Sequence, residues 1–191
     1  MIYKAIKENL NIASELILSG EIIIYPTDTI YGFGVDATNP IAINKLNKLK
    51  KRISPLSIIV SSFEMIEEFV DLNFIVSDEL KKYLPGPYTV LLINKNNLLP
   101  KEVSLNTGKI GVRIPNSDFI IHLVKKIKKP IITTSVNTHT SNSINNVDSI
   151  YNKFRSINIF SKDLNTNSKG STIIDFTCSP YNILRQGDGI I

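Results

Sequence analysis

The chain has 191 residues, a formal net charge of +5, 42% hydrophobic residues and one cysteine, Cys178. This length suits one domain with one core, so we expect a single domain spanning 1–191. One cysteine excludes an internal disulfide and a cysteine-based zinc site, and it fits a reducing, cytoplasmic setting. No apolar run reaches the roughly 18 residues of a membrane-spanning helix, so we expect no membrane contact. The positive charge permits nucleic-acid or phosphate binding without requiring it.

The first half of the chain alternates helical and strand patterns. In chain order it predicts a helix over 3–18, a strand over 22–25, a loop over 27–36, a helix over 40–52, a strand over 56–60, helices over 62–70 and 78–84, and a strand over 88–93. Asn39 before Pro40 is a typical helix start, and Ser61 with Glu64 resembles a capping box. Pro26 cannot donate to a sheet ladder, so the first strand should stop there.

The second half continues the alternation. It predicts a loop over 94–108, a strand over 110–114, a helix over 118–127, a strand over 130–135, a loop over 136–146, a helix over 147–155, a strand over 157–161, a loop over 163–170, and strands over 172–176 and 181–184. The pattern predicts an α/β fold with a twisted, open, mixed sheet flanked by helices.

Residues 25–36 (YPTDTIYGFGVD) leave a buried strand and offer hydroxyls, a carboxylate and two glycines. Gly32 and Gly34 permit positive φ or close approach of another group to the backbone. The stretch therefore indicates a binding loop, although an ordinary turn after a strand remains an alternative.

Three cations are candidates for anion binding. Lys50 and Arg52 lie two residues apart at a helix end, where they could clamp a polyphosphate. Alternatively, they only complement the helix dipole. Arg113 interrupts an apolar strand pattern, so an inward side chain would need an anion. The other possibility is that strand alternation puts Arg113 on the solvent face.

Polar residues elsewhere also carry two interpretations. Residues 133–137 (TTSVN) end a strand, where α/β sheets often bind ligands, but local turn bonds would also explain them. The carboxylates of Asp28, Asp36 and Asp175 are candidate magnesium or water partners, and turn or capping roles are the simpler interpretation. His122 is interpreted as a partly exposed surface residue.

Seven blocks in order resemble the YrdC-like family of threonylcarbamoyl-AMP synthases. They are 25–36 (YPTDTIYGFGVD), 50–52 (KKR), 85–89 (PGPYT), 110–115 (IGVRIP), 135–137 (SVN), 171–175 (STIID) and 183–187 (ILRQG). The resemblance covers nearly the whole chain and is to the short form of the family, without the extra C-terminal domain.

The resemblance implies an ATP-dependent nucleotidyltransferase that makes threonylcarbamoyl-AMP and pyrophosphate from L-threonine, bicarbonate and ATP, with Mg²⁺ on the phosphates. It implies that ATP is held by Lys50, Arg52, Ser135, Asn137 and Arg185, the first four being the catalytic set. It implies that threonine is held by Thr29, Arg113, Thr133 and Ser171. A downstream tRNA threonylcarbamoyl transferase complex would use the product, with RNA contact possible.

A different class of function is the alternative. The block 85–89 (PGPYT) leans toward the YciO branch of the family, which suggests an RNA-binding or nucleotide-binding protein without synthase activity. Few aromatic residues lie near the cations, whereas single-stranded RNA binders need stacking platforms. RNA affinity that falls steeply with salt and ignores threonine would favour this alternative.

Overall fold

The structure is a computed structural model that describes residues 1–51, 54–95, 98–137, 143–165 and 167–191. The strands are β1 (Ile2–Lys4), β2 (Ile23–Pro26), β3 (Tyr31–Gly34), β4 (Ser57–Ile59), β5 (Tyr88–Ile93), β6 (Lys109–Arg113), β7 (Ile131–Ser135), β8 (Asn158–Ser161), β9 (Thr172–Asp175) and β10 (Asn182–Arg185). The helices are α1 (Leu10–Leu18), α2 (Pro40–Lys50), α3 (Phe63–Phe69), α4 (Phe74–Leu80), α5 (Lys101–Ser104), α6 (Asp118–Ile127) and α7 (Val147–Lys153). A short 3-10 helix, Lys7–Asn9, precedes α1.

The described strands form one sheet in the order β1-β8-β2-β3-β7-β4-β6-β5-β9-β10. Neighbours run parallel at β1/β8, β2/β8, β4/β6 and β5/β9, and antiparallel at the other five pairings. The predicted α/β class with a mixed open sheet and flanking helices is therefore confirmed. Its core consists of the apolar sides of the sheet and the inward faces of the helices.

The helix starts follow their capping chemistry. The Asn39 side chain accepts from the backbone N–H groups of residues 41 and 42, and Pro40 occupies the first helical position, as predicted. At α3 the cap is Ser62, one residue after the predicted Ser61, because the Ser62 hydroxyl accepts from the N–H of Met65. The α4 helix starts at Phe74 rather than 78, since Asn73 caps it.

Three predicted segments differ from the structure. The predicted helix over 3–18 is a helix only from Leu10, because residues 2–4 pair in parallel with β8. The predicted loop over 27–36 contains β3, which returns antiparallel to β2. The predicted loop over 94–108 contains the short helix α5. In the predicted loop over 136–146, residues 138–142 lie outside the described part of the chain.

The glycines of β3 explain why the sequence pattern predicts a loop where the structure has a strand. A Cβ at Gly34 would lie 2.5 Å from a ring carbon of Tyr25, so this strand needs glycine where it crosses that ring. Alternation of glycine with aromatic residues is typical of a loop in the sequence.

Among the described helices, none is long and apolar enough to cross a membrane.

Candidate active site

A polar pocket of about 200 Å³ lies on one face of the sheet. Its wall is built from the β2–β3 loop, the start of β3, and residues in or next to β4, β5, β6, β7, β9 and β10. Five of the predicted site residues line it, namely Arg113, Thr133, Ser135, Ser171 and Arg185. The sequence blocks that are far apart along the chain therefore meet at one place.

Missing side chains make room for this pocket. A Cβ at Gly111 would lie 2.3 Å from the hydroxyl oxygen of Ser57, and a Cβ at Gly32 would lie 3.2 Å from that of Thr133. Gly111 stands between β4 and β5 in the sheet, where Ser57 pairs with it. Glycine at these two positions lets hydroxyl groups cover the sheet face.

Lys50, Ser135 and Asn137 form what we name the ammonium cluster. Lys50, at the end of α2, is only 2% exposed. Its Nζ donates to the Ser135 carbonyl and to Asn137 Oδ1, both at 2.6 Å, and lies 5.5 Å from the centre of the Phe33 ring. Lys51 then ends the helix in a left-handed conformation, φ 51°. Two motifs 85 residues apart are thus one hydrogen-bonded unit.

Arg113, Ser171 and Arg185 form the guanidinium cluster. Arg185 donates through Nη2 to the Ser171 carbonyl at 2.6 Å and to the Ser171 hydroxyl at 3.1 Å. That hydroxyl is also 2.7 Å from Thr89 Oγ1. Partial burial, with the nearby charge of Arg113, lowers the pKa of Arg185, and Asp188 partly offsets this. Two guanidinium groups therefore face one small polar space.

Arg113 is 5% exposed, so the alternative that strand alternation puts it in solvent is wrong. Its Nη2 donates to Asp28 Oδ1 at 2.8 Å and to Thr29 Oγ1 at 3.3 Å. Its Nε is buried and has no hydrogen-bond partner among the described residues. A buried donor without a partner costs free energy, and a ligand oxygen would satisfy it.

The hydroxyl of Thr29 is fixed by its own turn. Thr27 Oγ1 donates to the Ile30 carbonyl at 2.7 Å, lies 3.1 Å from Thr29 Oγ1 and accepts from the Thr29 N–H. Below this turn lies Tyr25, fully buried. Burial raises the pKa of the Tyr25 phenol, opposed by a hydrogen bond with Thr133 and by the charge of Arg113. The phenol is therefore neutral at physiological pH.

The remaining candidates lie elsewhere. Arg52 is outside the described residues. Asp36 accepts from the backbone and hydroxyl of Thr38 and pairs with Lys129 at 2.6 Å. Asp175 similarly caps Thr177 and pairs with Lys109 at 2.9 Å. These two carboxylates have the turn and capping roles that the sequence favoured.

A second cavity lies away from the polar pocket. His122, exposed as predicted, borders a second cavity of about 720 Å³ between the N-terminal segment and α6. No predicted site residue borders that cavity. Among the described residues, no three histidine, cysteine, aspartate or glutamate side chains are grouped to hold a metal ion.

Sequence comparison identifies relatives across nearly the whole chain. A model of the Sua5/YciO/YrdC family, described as "Telomere recombination", matches residues 15–187. A protein of Psychromonas ingrahamii named threonylcarbamoyl-AMP synthase is 32% identical over 136 residues, covering 69% of this chain and 71% of that protein. The family model thus covers nearly all of this chain, and a relative above 30% identity carries the name of a synthase.

Solved structures share the fold. Pyrococcus abyssi Sua5, crystallised in complex with L-threonine, has a TM-score of 0.90 at 25% identity, and the match covers 98% of this chain and 57% of that one. This chain thus spans little more than half the length of that Sua5. Escherichia coli YciO has a TM-score of 0.90 at 19% identity over 100% of this chain and 97% of that one, a likeness of fold alone.

Proposed function

The chain belongs to the Sua5/YciO/YrdC family, and we propose that it is a threonylcarbamoyl-AMP synthase. The observation that carries this proposal is the meeting of Arg113, Ser171 and Arg185 with Ser135 at one polar pocket. The carbonyl of Ser135 accepts from the buried Lys50, which links the ammonium cluster to that pocket. The names of its relatives favour a synthase over a non-catalytic RNA-binding protein. An enzyme of this class consumes ATP.

The proposed reaction joins three substrates in two steps. The neutral amine of L-threonine attacks the carbon of bicarbonate, and loss of water leaves a carbamate. A carbamate oxygen then attacks the α-phosphorus of ATP, and the bond to the β-phosphate oxygen breaks. The products are threonylcarbamoyl-AMP and pyrophosphate.

This chemistry gathers negative charge, so the protein must neutralise it. The described residues lining the pocket include no histidine and no carboxylate, and they include two guanidinium groups and several hydroxyls. Such a wall suits positioning and charge stabilisation rather than general-base catalysis. Mg²⁺ would arrive as part of the ATP substrate, bound to its phosphates.

For ATP we propose the ammonium cluster, with Arg185 and Arg52, as the binding groups. A compact ammonium and a planar guanidinium are the two cations that proteins use on phosphates. The buried position of Lys50 beside Ser135 supports this assignment, because a charge there is poorly screened by solvent.

For L-threonine we propose Arg113, Thr29, Thr133 and Ser171. The guanidinium of Arg113 would take the carboxylate, and its unpartnered Nε supports that role. The neighbouring hydroxyls are placed to accept or donate to the amine and the side-chain hydroxyl. All four residues are at most 8% exposed, so a bound amino acid would be shielded from water.

We propose that the product is consumed by a tRNA threonylcarbamoyl transferase complex in the cytoplasm. Threonylcarbamoyl-AMP is a mixed anhydride, and such compounds transfer their acyl group to a nucleophile. The net charge of +5 would allow direct RNA contact as well.

The test is pyrophosphate release from ATP and Mg²⁺, with L-threonine and bicarbonate each omitted in turn. The proposal predicts release only when both are present. Release without threonine would indicate an ATP-hydrolysing activity instead. No release, together with salt-sensitive RNA binding, would favour the RNA-binding alternative.

A further inference from the structure

We propose that Asp28 is a positioning residue for L-threonine, acting through Arg113. No described contact gives Asp28 a direct place in the pocket wall, and its sequence context is that of an ordinary turn carboxylate. Its side chain is nevertheless 9% exposed and ion-paired with the one buried arginine of the described chain. This inference rests on the proposed function, in which Arg113 binds the threonine carboxylate.

Both oxygens of Asp28 are committed. Oδ1 accepts from Arg113 Nη2 at 2.8 Å, and Oδ2 accepts from the backbone N–H of Asn116 at 2.9 Å. The backbone bond fixes the carboxylate, because Asn116 lies in the short connection between the end of β6 and the start of α6. Arg113 Nη2 donates to this fixed carboxylate and also to Thr29 Oγ1 at 3.3 Å. The two acceptors together hold the Nη2 end of the guanidinium in place.

The rest of that guanidinium is left for a ligand. Nη2 is held, whereas Nε is buried without a described partner and the side chain lines the pocket. A planar fork binds a carboxylate well only in one orientation. Asp28 therefore holds Arg113 in place before the substrate arrives, which lowers the ordering cost of binding.

The contact also crosses the pocket. Asp28 lies in the β2–β3 loop and Arg113 at the end of β6, and the strands β7 and β4 stand between β3 and β6 in the sheet. Without Asp28, nothing described would tie this loop to the Arg113 side chain except the longer Thr29 contact. The pair thus sets the distance between the Thr29 hydroxyl and the guanidinium.

Asp28 also balances charge. Arg113 lies close enough to Arg185 to lower its pKa. A carboxylate bonded to Arg113 offsets this repulsion in the empty pocket, so that both cations remain directed inward. Asparagine at position 28 would keep the shape of the side chain. Its amide nitrogen, however, would face one of the two donors that Asp28 accepts from, Arg113 Nη2 or the Asn116 N–H.

The experiment compares Asp28→Ala and Asp28→Asn with Asp36→Ala. Asp36 is the matched control, because it is also a buried carboxylate paired with a cation. Its partner, Lys129, does not line the pocket. For each protein we would measure KM for L-threonine, KM for ATP and kcat by pyrophosphate release. Thermal melting and calorimetric titration with L-threonine complete the set.

Both Asp28 variants should raise the KM and the dissociation constant for L-threonine by about 10- to 100-fold, because they lose the charge-assisted hydrogen bond that orients the guanidinium. KM for ATP and kcat at saturating threonine should change by less than about threefold. Asp36→Ala should lower the melting temperature without changing the KM for threonine.

Two outcomes would overturn the inference. One is an unchanged threonine KM in both Asp28 variants that fold. The other is a joint rise in the KM for both substrates that follows the loss of thermal stability, as in Asp36→Ala. A wild-type protein that neither binds threonine nor releases pyrophosphate would instead reject the proposed function, and the inference with it.

Discussion

Two buried carboxylates in this protein each pair with a cation, and the surroundings of the two pairs differ. Asp36 pairs with Lys129, whose side chain is 40% exposed and reaches solvent. Asp28 pairs with Arg113, which is 6% exposed and carries a donor without a described partner in the pocket wall. The first pair is complete by itself, whereas the second lacks an oxygen that a substrate could supply. A cation that keeps an unpartnered donor in the pocket wall is therefore expected to bind a ligand, whereas a cation that reaches solvent is expected to be structural.

The largest effect should come from Lys50→Ala. This variant tests the same contrast, between a buried cation at the candidate site and an exposed one, on two lysines of one helix. Loss of one preorganised donor to a developing negative charge costs about 100- to 1,000-fold in kcat. Lys48→Ala is the matched control, because Lys48 lies on the same helix and is exposed. Steady-state pyrophosphate release would measure both, with circular dichroism to verify folding. Equal activity in the two variants would remove Lys50 from the site.

Arg113→Lys comes next. Lysine keeps the charge but loses the planar fork, so we expect the KM for L-threonine to rise about 10- to 100-fold. Lys129→Ala, at the other carboxylate pair, should leave that KM unchanged. A similar rise in both variants would show that stability, rather than the pocket, determines threonine binding.

Ser171→Ala should have a smaller effect. The hydroxyl contacts Arg185 Nη2 and Thr89 Oγ1, and its loss leaves both groups with one partner fewer. A net contribution of about 1 kcal/mol per hydrogen bond corresponds to a loss of kcat/KM of roughly 5-fold for one bond and roughly 30-fold for both. Thr177→Ala, beside the remote Asp175, is the control and should leave kcat/KM unchanged.

The smallest effect concerns stability and pH at the third carboxylate pair. Burial raises the pKa of Asp175, but hydrogen bonds from Thr177 and Lys109 outweigh it and hold the pKa below the ordinary 3.8. The stabilisation is therefore present above pH 3.8 and lost as the pH falls through the lower folded-state value. Asp175→Asn should melt below wild type by a few degrees at neutral pH, and the difference should shrink below pH 3.8. A constant difference would contradict this.

Many candidate site residues can be predicted from the sequence, because they occur in short blocks. Arg113 drew notice because a charged residue interrupts an apolar strand, and the structure buries it. The blocks that contain Lys50 and Ser135 are candidates in the sequence, and the structure joins them by a 2.6 Å bond. The pairing itself could not be predicted, since it links α2 to the end of β7.

Long-range contacts explain what the sequence concealed. Asp28 resembles any turn aspartate until Arg113 and Asn116 are brought to it from 85 and 88 residues away. Gly111 has no local signal, and only the neighbouring Ser57 shows why a Cβ would not fit. The sequence pattern predicts a loop at β3 because glycine there resembles a turn signal, whereas the structure requires Gly34 for its approach to the Tyr25 ring.

The most direct test of the central claim is to identify the product. The protein would be incubated with ATP, Mg²⁺, L-threonine and ¹³C-labelled bicarbonate, and the nucleotides would be analysed by mass spectrometry. A synthase would give threonylcarbamoyl-AMP that carries one ¹³C atom, and this product would be absent when threonine is omitted. AMP or ADP without a labelled threonine adduct, from protein that is folded and consumes ATP, would contradict it.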